Sequence, residues 1–278
     1  MVKLGFSLQS SYALPMPRVI ALLKEVGFCA VSTAWKREDN LGQIVRLARE
    51  NSLAVQSLHG PTHDTFDLWS RDESRFRPVL EDMLDGIERC AEYEIPVMVV
   101  HSWLGKEYTF REEDLFFDNF NKIVEQAGRK GVGIAFENLE GPEYLAAMMD
   151  YYKGCQTVGL CWDSGHELCY NPGWDFLRDY GDRLMMTHLN DNFGLTSPDG
   201  KLVTTDDLHL LAGDGKTDWP GMVEKLKKCK QQEILNFELK IRPKGDRCIY
   251  DIYSQLPLEE YLRKAYQTAA QAVGTYFE

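Results

Sequence analysis

The sequence predicts an α/β fold, a single-domain (β/α)8 TIM barrel over residues 1–278, on three observations. Eight short β-rich runs recur, each followed by a longer segment of helical periodicity, and strands that alternate with helices pair in parallel. The first run lacks the glycine-rich phosphate turn that opens a doubly wound sheet, since "FSLQSSYALP" follows it. No linker or low-complexity stretch divides the 278 residues, a length that α/β barrels fill as one domain.

In chain order the strand candidates are "KLGFSL" (3–8), "AVSTAW" (30–35), "AVQSLH" (54–59) and "PVMVVHS" (96–102), then "GIAFEN" (133–138), "VGLCWD" (158–163), "LMMTHL" (184–189) and "ILNFEL" (234–239). Helical patterns lie between them: "PRVIALLKEVG", "LGQIVRLARENS", "RFRPVLEDMLDGIERCAEYE", "EEDLFFDNFNKIVEQAGRKG" and "PGMVEKLKKCKQ", with "LEEYLRKAYQTAAQAV" closing the chain. The acidic run "REED" reads as the solvated first turn of a helix. "LAGDG" reads as a turn into the helix at "DWPGMVEKL", with Asp218 as N-cap, in preference to a phosphate cradle. The least periodic stretch, residues 190–218, has the length of a functional loop and follows strand seven.

Composition narrows the function. Hydrophobic residues make up 44% and charged residues 27% of the chain, ordinary globular values that permit a sizeable core. With 31 Lys and Arg against 43 Asp and Glu, the net charge is -12, a field that repels phosphate backbones and disfavours nucleic acid as a partner. No secretory signal pattern opens the chain and no run of 18 apolar residues occurs, so a soluble, cytoplasmic protein without membrane contact is expected. Seven cysteines, an odd number without CxxC spacing, are expected to be reduced and structural.

Chemistry-bearing residues collect at the C-terminal ends of the strands. His59 ends the third, His101 the fourth, Glu137 the fifth and Asp163 the sixth, with His188 near the end of the seventh and Glu238 near the end of the eighth. In a barrel these ends converge on the catalytic face. His166 follows Asp163 at a spacing of three in "DSGH", and His209 follows Asp207 in "DLH". A lone strand-end histidine is commonly an ordinary hydrogen-bonded residue and a lone acid a helix cap. Several carboxylates on one face repel one another without a cation, and Glu, Asp and His are ligands of divalent metals, so the set implies a metal. Trp35, Trp103 and Trp162 fall at or beside strand ends, where an aromatic face can pack on a sugar or fill the barrel top; Trp162 favours packing. Phe66 and Trp69 belong to the loop after strand three, as a cover for the site or a subunit interface.

The segments "SLHGP", "VVHSW", "FEN", "CWDSGH", "THLNDN", "DLHLLAGDGKTDW" and "NFELK", in this order from residue 57 to residue 240, resemble the xylose-isomerase-like barrel superfamily. That superfamily holds sugar and sugar-phosphate isomerases and epimerases, the inosose dehydratase type and the apurinic-site endonucleases. By resemblance to its ketose 3-epimerase branch, one metal is held by Glu137, Asp163, His188 and Glu238. His166 touches substrate, and Glu137 and Glu238 exchange a proton at carbon beside a carbonyl through an enediolate. His59, His101, His209, Trp103 and Lys240 are further candidates for substrate contact. Carboxylates with one imidazole suit Mn, Co or Mg; more histidines engaged shift the expectation to Zn. The branch carries an arginine after the histidine strand, and "HLNDNFG" has none.

The endonuclease branch builds a three-metal site, and the matching types are present as His59, His101, Glu137, Asp163, His166, His188, Asp207, His209 and Glu238. Where that branch places a tyrosine against DNA, "HGPTHD" has Thr62. The expected function is therefore a metal-dependent isomerase or epimerase of a small sugar, sugar phosphate or polyol. A dehydratase on a cyclic polyol is close kin to it; a zinc phosphodiesterase and a non-catalytic carbohydrate-binding barrel are the alternatives. The resemblance also implies a homodimer.

Overall fold

A computed structural model describes residues 2–9, 12–37, 40–104, 108–203, 206–242 and 251–278. Its strands are β1 (Leu4–Ser7), β2 (Ala30–Ala34), β3 (Ala54–His59), β4 (Val97–His101), β5 (Gly133–Glu137), β6 (Val158–Asp163), β7 (Leu184–His188) and β8 (Leu235–Phe237). Each lies within a run expected from the sequence. They pair in parallel in the order β7-β6-β5-β4-β3-β2-β1-β8. The remaining seam closes through a Leu189–Phe237 bridge and through Thr187, whose hydroxyl accepts from Asn236 N at 2.9 Å. The eight strands thus form a barrel, as the alternation of elements requires.

Helices α1 (Met16–Val26), α2 (Leu41–Glu50), α3 (Glu73–Glu92), α4 (Asp118–Lys130) and α5 (Pro142–Tyr151) follow the first five strands. Two short helices, α6 (Ser164–Cys169) and α7 (Phe176–Tyr180), follow β6; α8 (Trp219–Leu226) precedes β8 and α9 (Leu258–Val273) closes the chain. Local chemistry sets their ends. α1 has proline in its first turn and ends at Gly27, whose φ of 118° suits a residue without Cβ. Asp218 caps α8 as expected, accepting from Gly221 N at 3.1 Å. The "REED" expectation is corrected: Glu112–Asp114 is a separate 3-10 turn and α4 starts only at Asp118. Three consecutive apolar residues cannot share one face of a helix, and the extended backbone at Leu115 lets both Leu115 and Phe117 reach the core.

The main core lies between strands and helices, while a smaller cluster of Val99, Ala135, Cys161 and Met186 sits separately. These four lie two residues before His101, Glu137, Asp163 and His188. Side chains alternate along a strand, so both sets point into the barrel, with the apolar four forming the floor beneath the polar ones. The six cysteines among the described residues are free, and Cys248 lies outside them. Among the described residues no helix is long and apolar enough to cross a membrane.

Candidate active site

Glu137 is the hub of the face formed by the C-terminal strand ends. It is 1% exposed, and its Oε1 lies 2.8 Å from His188 Nδ1 while its Oε2 lies 3.0 Å from His101 Nε2 and 3.2 Å from His59 Nε2. Glu238 Oε2 approaches the same His188 Nδ1 at 3.1 Å. Asp163, fully buried at the end of β6, receives Asn190 Nδ2 on both carboxylate oxygens, at 3.0 and 2.9 Å, and caps α6 through His166 N at 2.7 Å. That cap is why the aspartate and histidine of "DSGH" face one another. Across the cavity, His209 Nε2 lies 2.9 Å and His166 Nε2 3.5 Å from Asp207 Oδ1. All nine residues expected from the sequence as ligands are therefore brought together.

Backbone carbonyls aim the imidazoles. Nδ1 of His59 donates to Gly60 O at 2.9 Å, that of His166 to Asn138 O at 3.0 Å and that of His209 to Glu238 O at 3.0 Å. In each case Nε2 is left as the atom presented to the cavity, the arrangement that fixes the tautomer of a metal-binding histidine. His209 holds its place at a φ of 52°, a left-handed conformation that histidine adopts more readily than most residues.

Electrostatics reflect how tightly the charges are packed. Burial alone would raise the Glu137 carboxyl, but His188, His101 and His59 outweigh it and hold it well below the usual carboxylate range. Burial likewise opposes ionisation of Glu238, and His188 and His209 overcome it. Asp163 is the exception, pushed up by burial. Burial disfavours the charged form of His166, yet Asp163 and Asp207 carry it up to about 9. One ligand atom each from Glu137, Asp163, His188 and Glu238 lies within 4.8 Å of the others. One ion with ligand bonds of about 2.0–2.6 Å holds its ligands no more than about 4–5 Å apart, so these residues fit a divalent metal. His59, His101 and Glu137 form a second such group, His166, Asp207 and His209 a third, and Cys161 joins Glu137 and His188 in a fourth.

The cavity of about 320 Å³ is also lined by Ser7, Ser32, Thr62, Tyr170 and Lys240. Lys240 therefore stands where substrate contact was expected, and its ammonium helps to hold Asp207 and Glu238 ionised. Trp103, expected as a substrate contact, is not among the described residues that line this cavity. Two residues past the end of β4 the chain has left the barrel axis, and the ring packs against Phe66, Tyr108 and Tyr144. Trp35 packs on the core beside Gly86, and Trp162 is buried packing with its Nε1 donating to Glu167 at 2.7 Å. Phe66 and Trp69 do not cover this cavity; Trp69 is buried and donates to Ser102 O at 2.8 Å.

Sequence reading missed the supporting amides and one acid. Asn138 bridges β5 and β6, donating to Asp163 O at 2.9 Å and accepting from Asp163 N at 2.7 Å. Its only sequence signal is adjacency to Glu137. Asp191, fully buried, accepts on Oδ1 from Asn192 N (3.0 Å), Thr217 N (2.9 Å) and Thr217 Oγ1 (2.7 Å), and on Oδ2 from Gly213 N (2.9 Å) and Trp219 Nε1 (3.0 Å). With the Asp191–Leu210 bridge it ties down the loop that carries Asp207 and His209. Asp191→Ala is expected to cost about 2–4 kcal/mol, because several buried donors lose their acceptor at once. Urea unfolding measures this, and a loss below about 1 kcal/mol would contradict the anchoring role.

The sequence model of the xylose isomerase-like TIM barrel matches residues 20–267. An uncharacterised protein of Sinorhizobium fredii is 31% identical over 173 residues, 57% of this chain and 52% of that one. An uncharacterised protein of Methanocaldococcus jannaschii is 26% identical over 198 residues, 66% of this chain and 64% of its own, so the chain spans about half to just under two thirds of these relatives. Among solved structures, an IolI protein with a bound zinc atom is similar over 100% of both chains, with a TM-score of 0.76 at 20% identity. D-psicose 3-epimerase of Clostridium cellulolyticum, solved with D-tagatose, is similar over 98% of both, with a TM-score of 0.74 at 13% identity. With 20–267 of its residues matched, this chain belongs to the xylose isomerase-like TIM barrel family.

Proposed function

We propose that the protein is a divalent-metal-dependent isomerase or epimerase of a small, uncharged sugar or related polyol. The observation that carries this reading is the meeting of Glu137 and Glu238 at His188, with Asp163 completing one ligand set. A divalent ion held by these four residues supplies Lewis-acid stabilisation of a carbonyl and its neighbouring hydroxyl. The protein's own groups do the rest. Glu137 enters from β5 and Glu238 from β8, two carboxylates able to take a proton from carbon beside the carbonyl and to return one, passing through an enediolate. His166 Nε2 is presented to the cavity as a hydrogen-bonding group for a substrate hydroxyl, and the Lys240 ammonium offsets developing negative charge. Lys240 is the one lysine or arginine among the described residues that line the cavity, against Glu137, Asp207 and Glu238. That balance favours a neutral sugar over a phosphorylated one. The IolI and D-psicose 3-epimerase likenesses agree with a metal-binding sugar enzyme.

The second reading, a zinc phosphodiesterase, rests on the two additional ligand groups around His101 and His209. Lys240, the one lysine or arginine among the described lining residues, and the net charge of -12 oppose it. The deciding experiment incubates the metal-loaded protein with a panel of ketoses in D2O. Deuterium should enter at a carbon adjacent to the carbonyl of at least one sugar. Sugar binding without exchange would instead identify a non-catalytic carbohydrate-binding barrel.

A further inference from the structure

The C-terminal ends of β3 to β8 each bring a histidine or carboxylate to the catalytic face, whereas β1 and β2 bring hydroxyls, among them Ser7 and Ser32. The barrel interior divides in the same way. Under the acidic and imidazole groups the floor is apolar, but on the side of β1, β2, β3 and β8 it is built from Ser32, Ser57 and Asn236, none more than 3% exposed. Polar groups placed this deep are costly unless joined to one another.

They are joined in a directed chain. Ser57 Oγ donates to Ser32 Oγ at 2.9 Å, Ser32 Oγ donates to Asn236 Oδ1 at 3.3 Å, and Asn236 Nδ2 donates to Ser7 Oγ at 2.8 Å. Gly5 makes room for the amide, since a Cβ there would stand 2.8 Å from Asn236 Oδ1. An amide oxygen only accepts and an amide nitrogen only donates. Ser32 therefore spends its hydrogen on Asn236, and Ser7, the last member, receives a hydrogen bond and keeps its own hydrogen. Among the described residues Ser7 Oγ donates no hydrogen bond, and Ser7 lines the cavity.

We propose that Ser7 is a specificity-determining residue, donating a hydrogen bond to a substrate oxygen remote from the reacting carbon and thereby selecting polyols that carry a hydroxyl there. The inference rests on the sugar reading above and assigns the β1–β2 wall to the unreactive end of the substrate. Asn236 is the positioning residue that holds the Ser7 oxygen.

The test uses the full-length, metal-loaded protein with D-fructose, D-tagatose and D-psicose and their 4-, 5- and 6-deoxy analogues, read by solvent-deuterium exchange. Wild type should handle one analogue about 3- to 10-fold less well in kcat/KM than its parent, the worth of one neutral hydrogen bond. Ser7→Ala should raise KM for the parent about 3- to 10-fold, leave kcat within about twofold, and abolish discrimination against that analogue alone. Undiminished discrimination in Ser7→Ala overturns the assignment while leaving the sugar reading intact. Equal handling of parents and all analogues by wild type overturns it without recourse to any variant. Absence of exchange with every ketose overturns the sugar reading, and this inference with it.

Discussion

Glu137→Gln is expected to lower kcat for solvent-deuterium exchange by at least about 1,000-fold while leaving the far-UV circular dichroism unchanged. The magnitude follows from the number of tasks one carboxylate performs. Glu137 presents one oxygen to His188 at 2.8 Å and the other to His101 and His59, and it takes part in three of the four groups of metal-ligand residues. Glutamine keeps the volume and one acceptor but removes the charge. Proton abstraction, typically worth about 100- to 10,000-fold, is lost together with a metal ligand. The fold should survive because Glu137 borders the cavity and packs into no apolar cluster, so the strands keep their core. Activity within tenfold of wild type would remove Glu137 from both roles.

Dialysis against a chelator should reduce exchange by more than about 100-fold, with recovery on adding Mn, Co or Mg. Two of the four groups of the shared ligand set are held from outside the cavity: Asp163 by Asn190 and Asn138, and His188 by its place at the end of β7. A site prepared in this way survives removal of its ion, so the loss should be reversible and the chain should remain folded. Elemental analysis of the gently purified protein reports on the same point. About one Mn, Co or Mg ion per chain supports sugar chemistry, whereas two or three zinc ions would move the assignment to phosphodiester hydrolysis. Full activity after exhaustive chelation would overturn metal dependence.

Strand ends are local features, and for that reason much of the site is legible in the sequence. The period-two pattern of "PVMVVHS" or "VGLCWD" places its last inward residue without reference to the rest of the chain, and the barrel class then requires that such ends converge. His59, His101, Glu137, Asp163, His188 and Glu238 stand out in this way, and Asp207 and His209 by resemblance. Trp103 marks the limit of such local logic. Its nearness to a strand end says nothing about which way the chain turns, and two of the three aromatic neighbours that capture it, Phe66 and Tyr144, come from other segments.

From residues alone came the barrel class, the order of strands and helices, the cap at Asp218, and the identity of the ligand-type residues, because each depends on interactions within about one turn or one strand. The tertiary structure alone decided that Glu137 is the shared hub, that Asp191 holds the loop bearing Asp207 and His209, and that Ser57, Ser32, Asn236 and Ser7 form one chain of hydrogen bonds. Those contacts join side chains from different strands, separated by as many as 229 positions in the case of Ser7 and Asn236. They exist only once the register of eight strands and the closure of the β7–β8 seam have set which side chains meet.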